Sequence, residues 1–122
     1  MSLHRSKRDG FTLVEIMVVV AIIGLLAAIA VPNFVKHRAT ARAKICINNL
    51  RILDAAKDQY AIDNGKDVGD LPSAANLDPY VKGNTAMMIC PLDDQKTFTT
   101  SYSINNIGVA AVCLKDPVLH KP

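Results

Sequence analysis

The sequence predicts an α+β protein in which one long N-terminal helix crosses a membrane with its first half and packs its second half on a small antiparallel β-sheet. Three observations predict it. The chain is 50% hydrophobic but only 5% aromatic, and its aliphatic excess is gathered close to the N-terminus. After residue 44 apolar side chains recur at helical spacing. The last part of the chain breaks into short runs separated by Gly, Pro and Asn, the punctuation of strands and turns.

With 122 residues there is room for one small domain besides an anchor. Residues 1–10, "MSLHRSKRDG", form a basic leader in which Arg5, Lys7 and Arg8 outweigh Asp9. Residues 11–31 are an almost unbroken aliphatic run, and as a helix these 21 residues reach roughly 32 Å, the depth of a hydrocarbon core. A secretory signal peptide has a shorter apolar centre and a small-residue cleavage site behind it, so the run reads as a span.

Thr12 and Glu15 are the polar side chains inside that run, and Glu15 is the one glutamate of the whole sequence. An acid costs on the order of 3 kcal/mol at mid-bilayer, and less near the end of a span. Thirteen Leu, Ile, Val and Phe residues return roughly 4 to 8 kcal/mol on the same scale, so insertion wins. An acid retained inside a span points to function and requires a partner.

Residues 32–65 continue the helix. Pro32 lacks an amide proton and crowds the preceding turn, which sets one continuous helix against two helices divided there. Beyond it Cys46, Leu50, Leu53, Ala56 and Tyr60 make an apolar stripe, with Lys44, Asn48, Arg51, Asp54 and Asp58 away from it. Asn64-Gly65 suits the left-handed turn that ends helices, so the helix is expected to exceed fifty residues.

Residues 66–122 are the expected β domain. Ser73 caps a short helical turn through Leu77, closed by Asp78-Pro79 and Gly83. Strands are expected at 87–90, 98–104 and 109–114, with "NNIG" as a hairpin turn. So small a segment has few large apolar side chains and calls for a staple. Cys90 and Cys113 flank the hairpin and are the expected disulfide, which favours an oxidising compartment for this part of the chain. Cys46, on the apolar stripe, can remain a buried thiol.

A basic leader ending in Gly10, then Phe11, then Glu15, then an aliphatic span followed by Pro32 closely resembles the class III signal of type IV pilins and type II secretion pseudopilins. The remainder, with "CINNLRILDAAKDQYAIDNGK", "LDPYVKG", Cys90-Pro91, Tyr102, Cys113 and His120 in that order, resembles a subgroup of small pilin-like proteins. It departs from them in "LDDQKTF", where relatives tend to be shorter and glycine-rich.

The resemblance implies that a prepilin peptidase cuts after Gly10 and methylates the new N-terminal Phe11, and that Glu15 faces the freed amine of a neighbouring subunit. Pro32 would match the proline around which the family's long helix bends or melts. The implied molecule is a single-pass subunit of the bacterial inner membrane that polymerises with itself and related pilin-like subunits. Its implied partners are membrane lipid, an inner-membrane platform protein and an assembly ATPase. A type II secretion pseudopilin is the first reading, because the domain is small and has no long variable loops. A type IV pilin is the second, and a membrane-anchored binding or sensor module that never polymerises is a third of another class.

Other constellations are weaker. Cys113, Asp116 and His120 lack the context of a nucleophile and its base, and no CxxC, HExxH or phosphate-binding loop is present, so no enzyme is expected. Asp93, Asp94 and Asp116 are calcium candidates by analogy with major pseudopilins, but they have no fixed ligand spacing and read better as a solvated loop. No cofactor is otherwise expected. Lys36, Arg38, Arg42 and Lys44 suit solvent or phospholipid headgroups; with a net charge of +3, mostly in the leader, no specific nucleic acid is expected. His4 and His37 suggest no site, and His120 reads as a terminal polar residue.

Overall fold

A computed structural model describes residues 9–122; residues 1–8 of the leader lie outside the described residues. Helix α1 runs Leu13–Asn64, 52 residues in one piece. It continues through Pro32, which decides between one helix and two, although the carbonyl of Ala28 loses the amide that would normally reach it. Gly65, at φ +58°, ends the helix in the left-handed turn that a residue with a Cβ adopts at a cost.

Two compact units divide within α1, the first ending at His37 and the second covering Arg38–Pro122. In the first, the helix presents its apolar side chains outward: from Phe11 to Val35 the large ones are 48–81% exposed. This is one helix long and apolar enough to cross a membrane.

The second unit holds the core. Cys46, Leu50, Leu53 and Ala56 of α1 are buried against Leu77, Val81, Met88, Phe98, Tyr102, Ala111 and Cys113. The helical stripe is thus where the spacing puts it. Tyr60 is half-buried beside this core, edge-on to Tyr80 with ring centroids 6.3 Å apart.

Helix α2, Ala74–Leu77, begins at Ser73, whose side chain accepts from the Asn76 amide while Asn76 reaches back to the Ser73 amide. Two 3-10 turns follow, Asp78–Tyr80 and Thr85–Met87. Helix α3, Phe98–Ser101, leads directly into β1, Tyr102–Ser103, which pairs antiparallel with β2, Val112–Cys113, in the register Tyr102 to Cys113 and Ser103 to Val112.

The architecture is the expected α+β, but its strands are shorter than their sequence runs. Residues 87–90 form no strand, because the Thr85–Met87 turn uses the backbone there and the Cys90 amide is taken by the Ser101 hydroxyl at 3.0 Å. In 98–104 the first four residues are helical: "FTTS" closes a turn in which the Ser101 amide donates to the Thr97 carbonyl at 3.1 Å. "NNIG" lies in a wide loop, residues 104–111, rather than a tight turn.

Lys57 of α1 explains the loop's shape. Its ammonium is buried and donates to the carbonyls of Ile104 at 2.9 Å and Val109 at 2.5 Å, while pairing with Asp54 at 2.9 Å. The same Asp54 oxygen accepts the Ala111 amide at 2.9 Å. Among the described residues no buried side-chain nitrogen or oxygen lacks a partner.

Candidate functional site

The N-terminal segment presents its chemistry in an open setting. Gly10 and Phe11 are exposed, and a Cβ added at Gly10 would meet nothing within 4 Å. The peptide bond between them is therefore accessible. Thr12 stands just before the first helical residue; its hydroxyl accepts the Glu15 amide at 3.2 Å, and its carbonyl accepts the Ile16 amide at 3.3 Å. Thr12 and Glu15 thus occupy the first and last positions of a T-x-x-E helix start. Glu15 lies in the first turn, where a negative side chain complements the exposed amides. Thr12 went unused in the sequence reading, although the T-x-x-E spacing was there to find it.

Cys90 and Cys113, expected as a disulfide pair, meet as free buried thiols with their sulfurs 3.7 Å apart. They are not alone. Cys46, a buried thiol as its place on the stripe allows, reaches the same point, and so does His120, whose Nδ1 is 3.5 Å from the Cys113 sulfur. All four are buried, with their ligand atoms within 4.8 Å of one another. His120 is 3% exposed and is no simple terminal polar residue. The turn that delivers it is closed by the His120 amide on the Asp116 carbonyl at 3.1 Å and the Leu119 amide on the Asp116 carboxylate at 2.9 Å.

Each sulfur also has a donor. The Tyr102 hydroxyl acts on Cys46, the Leu92 amide on Cys90, and the Asp116 and Lys115 amides on Cys113, each working to lower its thiol. Burial pushes the Cys46 and Cys90 thiols up. Burial raises Cys113 too, but the Asp116 amide, the His120 ring and further donors outweigh it and bring that thiol down to about 7.

The three aspartates weighed for calcium do not gather. Asp93 is buried and its carboxylate is already surrounded: Thr100 and Ser101 donate to one oxygen at 2.5 and 2.7 Å, the Gln95 amide and Lys115 to the other at 3.1 and 3.0 Å. Burial works to raise its carboxyl, yet these donors hold it well below the usual carboxylate range. Asp116 closes the His120 turn, and Asp94 is exposed. Among the described residues, the group of three or more metal-ligating side chains is that of the three cysteines and His120.

Residues 5–31 match the family described as "Prokaryotic N-terminal methylation motif". The chain carries a class III prepilin signal. Downstream of that signal the similarity continues. The chain is 41% identical over 87 residues to the type IV major pilin protein PilA of Myxococcus xanthus, covering 66% of this chain and 39% of that protein. It is 40% identical over 62 residues to the type II secretion system core protein G of Pseudomonas aeruginosa, covering 51% and 44% of the two chains. With core protein G of Klebsiella pneumoniae it shares 34% over 82 residues, 62% and 59%. The chain therefore spans about two-fifths to three-fifths of the length of these relatives. No solved structure matches it significantly.

Proposed function

We propose that the chain is the structural subunit of a pilin-like filament, first of all a type II secretion pseudopilin, with no chemistry of its own. In this reading it waits in the bacterial inner membrane with residues 66–122 on the outer side, is cut after Gly10 by a prepilin peptidase and methylated on Phe11, and then polymerises. A platform protein and an assembly ATPase drive that step. The observation that carries the reading is the apolar surface from Phe11 to Val35, left uncovered among the described residues and interrupted by Glu15 just behind an accessible Gly10-Phe11 bond. A bilayer covers such a face in the monomer and other subunits cover it in a bundle. In the bundle the Glu15 carboxylate meets the freed amine of a neighbour, where low dielectric makes an unmatched charge costly and a matched pair specific for register. Pro32, at the end of the span, leaves the Ala28 carbonyl open, so local bending or melting there is inexpensive.

The similarity to PilA supports a type IV pilus as the second reading. A membrane-anchored module that never polymerises accounts for the span but leaves Gly10-Phe11 and Glu15 without a purpose. Coexpression with a prepilin peptidase and either a type II secretion or a type IV pilus apparatus separates these readings. The expected result is a sheared filament fraction whose subunits lack ten residues and carry one added methyl on Phe11. Leader retained in assembled material, or processed subunits that never leave the membrane with either apparatus, overturns the proposal.

A further inference from the structure

We propose that Cys46, Cys90, Cys113 and His120 bind a structural zinc ion, in a tetrahedral site of three thiolates and one imidazole that fastens α1 to the C-terminal segment. The edges of the donor set fit. Zinc bonds of about 2.3 Å to sulfur and about 2.0–2.1 Å to nitrogen give tetrahedral edges of about 3.8 Å between sulfurs and about 3.6 Å between sulfur and nitrogen. The observed edges are 3.7 Å from Cys90 to Cys113 and 3.5 Å from Cys113 to His120, with all four donors inside 4.8 Å. No donor is more than 3% exposed, so the set is closed to water as structural sites are.

Polar groups lie beside the sulfurs. Tyr102 is oriented by Asn49, whose amide donates to the tyrosine oxygen at 3.0 Å, which leaves the phenol proton for Cys46. Backbone amides of Leu92, Lys115 and Asp116 serve the other two sulfurs. A dication beside three thiolates and a neutral imidazole leaves one net negative charge, which these donors disperse. Binding releases the three thiol protons to solvent. Three sulfurs and a nitrogen select zinc over calcium or magnesium, which take oxygen. A surface cavity of about 390 Å³ lies beside the site, lined in part by Leu92, Asp116, Leu119 and His120.

A Cys90–Cys113 disulfide is the competing use of the same atoms. It would close the sulfurs to about 2.05 Å and leave the Cys46 thiol and the His120 ring facing sulfurs with no charge to share. The fourfold convergence is accounted for by a metal and is superfluous to a bridge.

The test uses the full chain, purified anaerobically in detergent micelles without chelator or added reductant. Elemental analysis is expected to find one zinc per chain. Cobalt exchanged for zinc should show thiolate-to-metal charge-transfer bands and the intense visible bands of a tetrahedral site. Iodoacetamide should modify none of the three cysteines until a strong chelator is added, and then all three. His120→Ala should weaken zinc binding at least 100-fold, and Tyr102→Phe by about 10- to 100-fold. His120→Cys should retain one zinc and strengthen the charge-transfer bands, which guards against reading a folding failure as a lost ligand. A metal-free chain with Cys90 linked to Cys113 in a non-reducing peptide map overturns the proposal. So does a zinc content that survives in a Cys46→Ser, His120→Ala double variant.

Discussion

The buried ammonium of Lys57 lies 2.9 Å from the carbonyl oxygen of Ile104, so a helix lysine supplies the hydrogen bonds that a tight hairpin would have made for itself. Because the same group also serves Val109 and Asp54, Lys57→Met would deprive two carbonyls of this donor and leave Asp54 with the Ala111 amide and solvent. An orphaned buried acceptor costs roughly 1–3 kcal/mol, so a loss of about 2–4 kcal/mol is expected. Chemical denaturation of the full chain in micelles measures it. Asp54→Asn, which keeps an oxygen for the Ala111 amide, should cost less; equal losses would put the stabilisation in the ion pair rather than in the carbonyls.

Gly108 sits at φ +85°, and a Cβ there would come 2.8 Å from Cγ1 of Val68. Gly108→Ala therefore meets two separate penalties, an unfavourable backbone and a clash. About 1–2 kcal/mol belongs to the backbone. The double variant Gly108→Ala, Val68→Ala should recover the remainder and leave the backbone share. Full recovery in the double variant would show that the conformation relaxes away from positive φ.

Asp78 accepts from the Thr85 amide and hydroxyl at 2.7 and 2.6 Å, and these bonds, the hydroxyl first, lower its carboxyl below the ordinary value. A carboxyl lowered in the folded state adds stability at pH values above the unfolded value of about 3.9, and loses it as pH falls through the folded one. Thr85→Val removes the hydroxyl donor, so the Asp78 titration followed by carbon-13 NMR should move upward toward the ordinary value. An unchanged titration would assign the shift to the backbone amide alone.

Glu15→Leu should leave insertion and cleavage intact while reducing filament yield, because the span becomes more apolar and the partner for a neighbour's amine is gone. Thr12→Val removes the hydroxyl that accepts the Glu15 amide and should cost about 1 kcal/mol of helix start, with less effect on assembly. Subunit level, N-terminal processing and sheared filament yield are compared for each. Equal yields from processed wild-type and Glu15→Leu subunits would reduce Glu15 to a helix-start residue.

Where one helix decides the outcome, the sequence was informative. The 3.6-residue rhythm of Cys46, Leu50, Leu53 and Ala56 survives intact because their spacing and their burial obey the same geometry. Lys57 broke the pattern, since only the position of the Ile104 and Val109 carbonyls makes a lysine suitable there. The strands were overdrawn for a related reason: the Ser101 amide turns back to the Thr97 carbonyl, a helical bond held in place by the Thr100 and Ser101 hydroxyls on Asp93, and two residues per strand remain in the ladder. Cys46 was unreadable as a companion of Cys90 and Cys113, because a donor so far from them in the chain carries no local motif and meets them only when the fold closes; His120, seven residues past Cys113, stood beside it in the sequence only as part of a weak catalytic set.

The core has a further consequence in the order in which the chain is made. Leu50 and Leu53 belong to a helix completed early, whereas their cover includes Tyr102, Ala111 and Cys113. Cys113 comes 63 residues after Leu50, about 3–13 s of synthesis at roughly 5–20 residues per second. During that interval α1 carries two uncovered apolar surfaces, one suited to lipid and one awaiting residues not yet joined to it. A ribosome that pauses between residues 65 and 100 would prolong the exposure of the second surface, and chaperone capture or surface adsorption of that stripe competes with folding until β2 emerges.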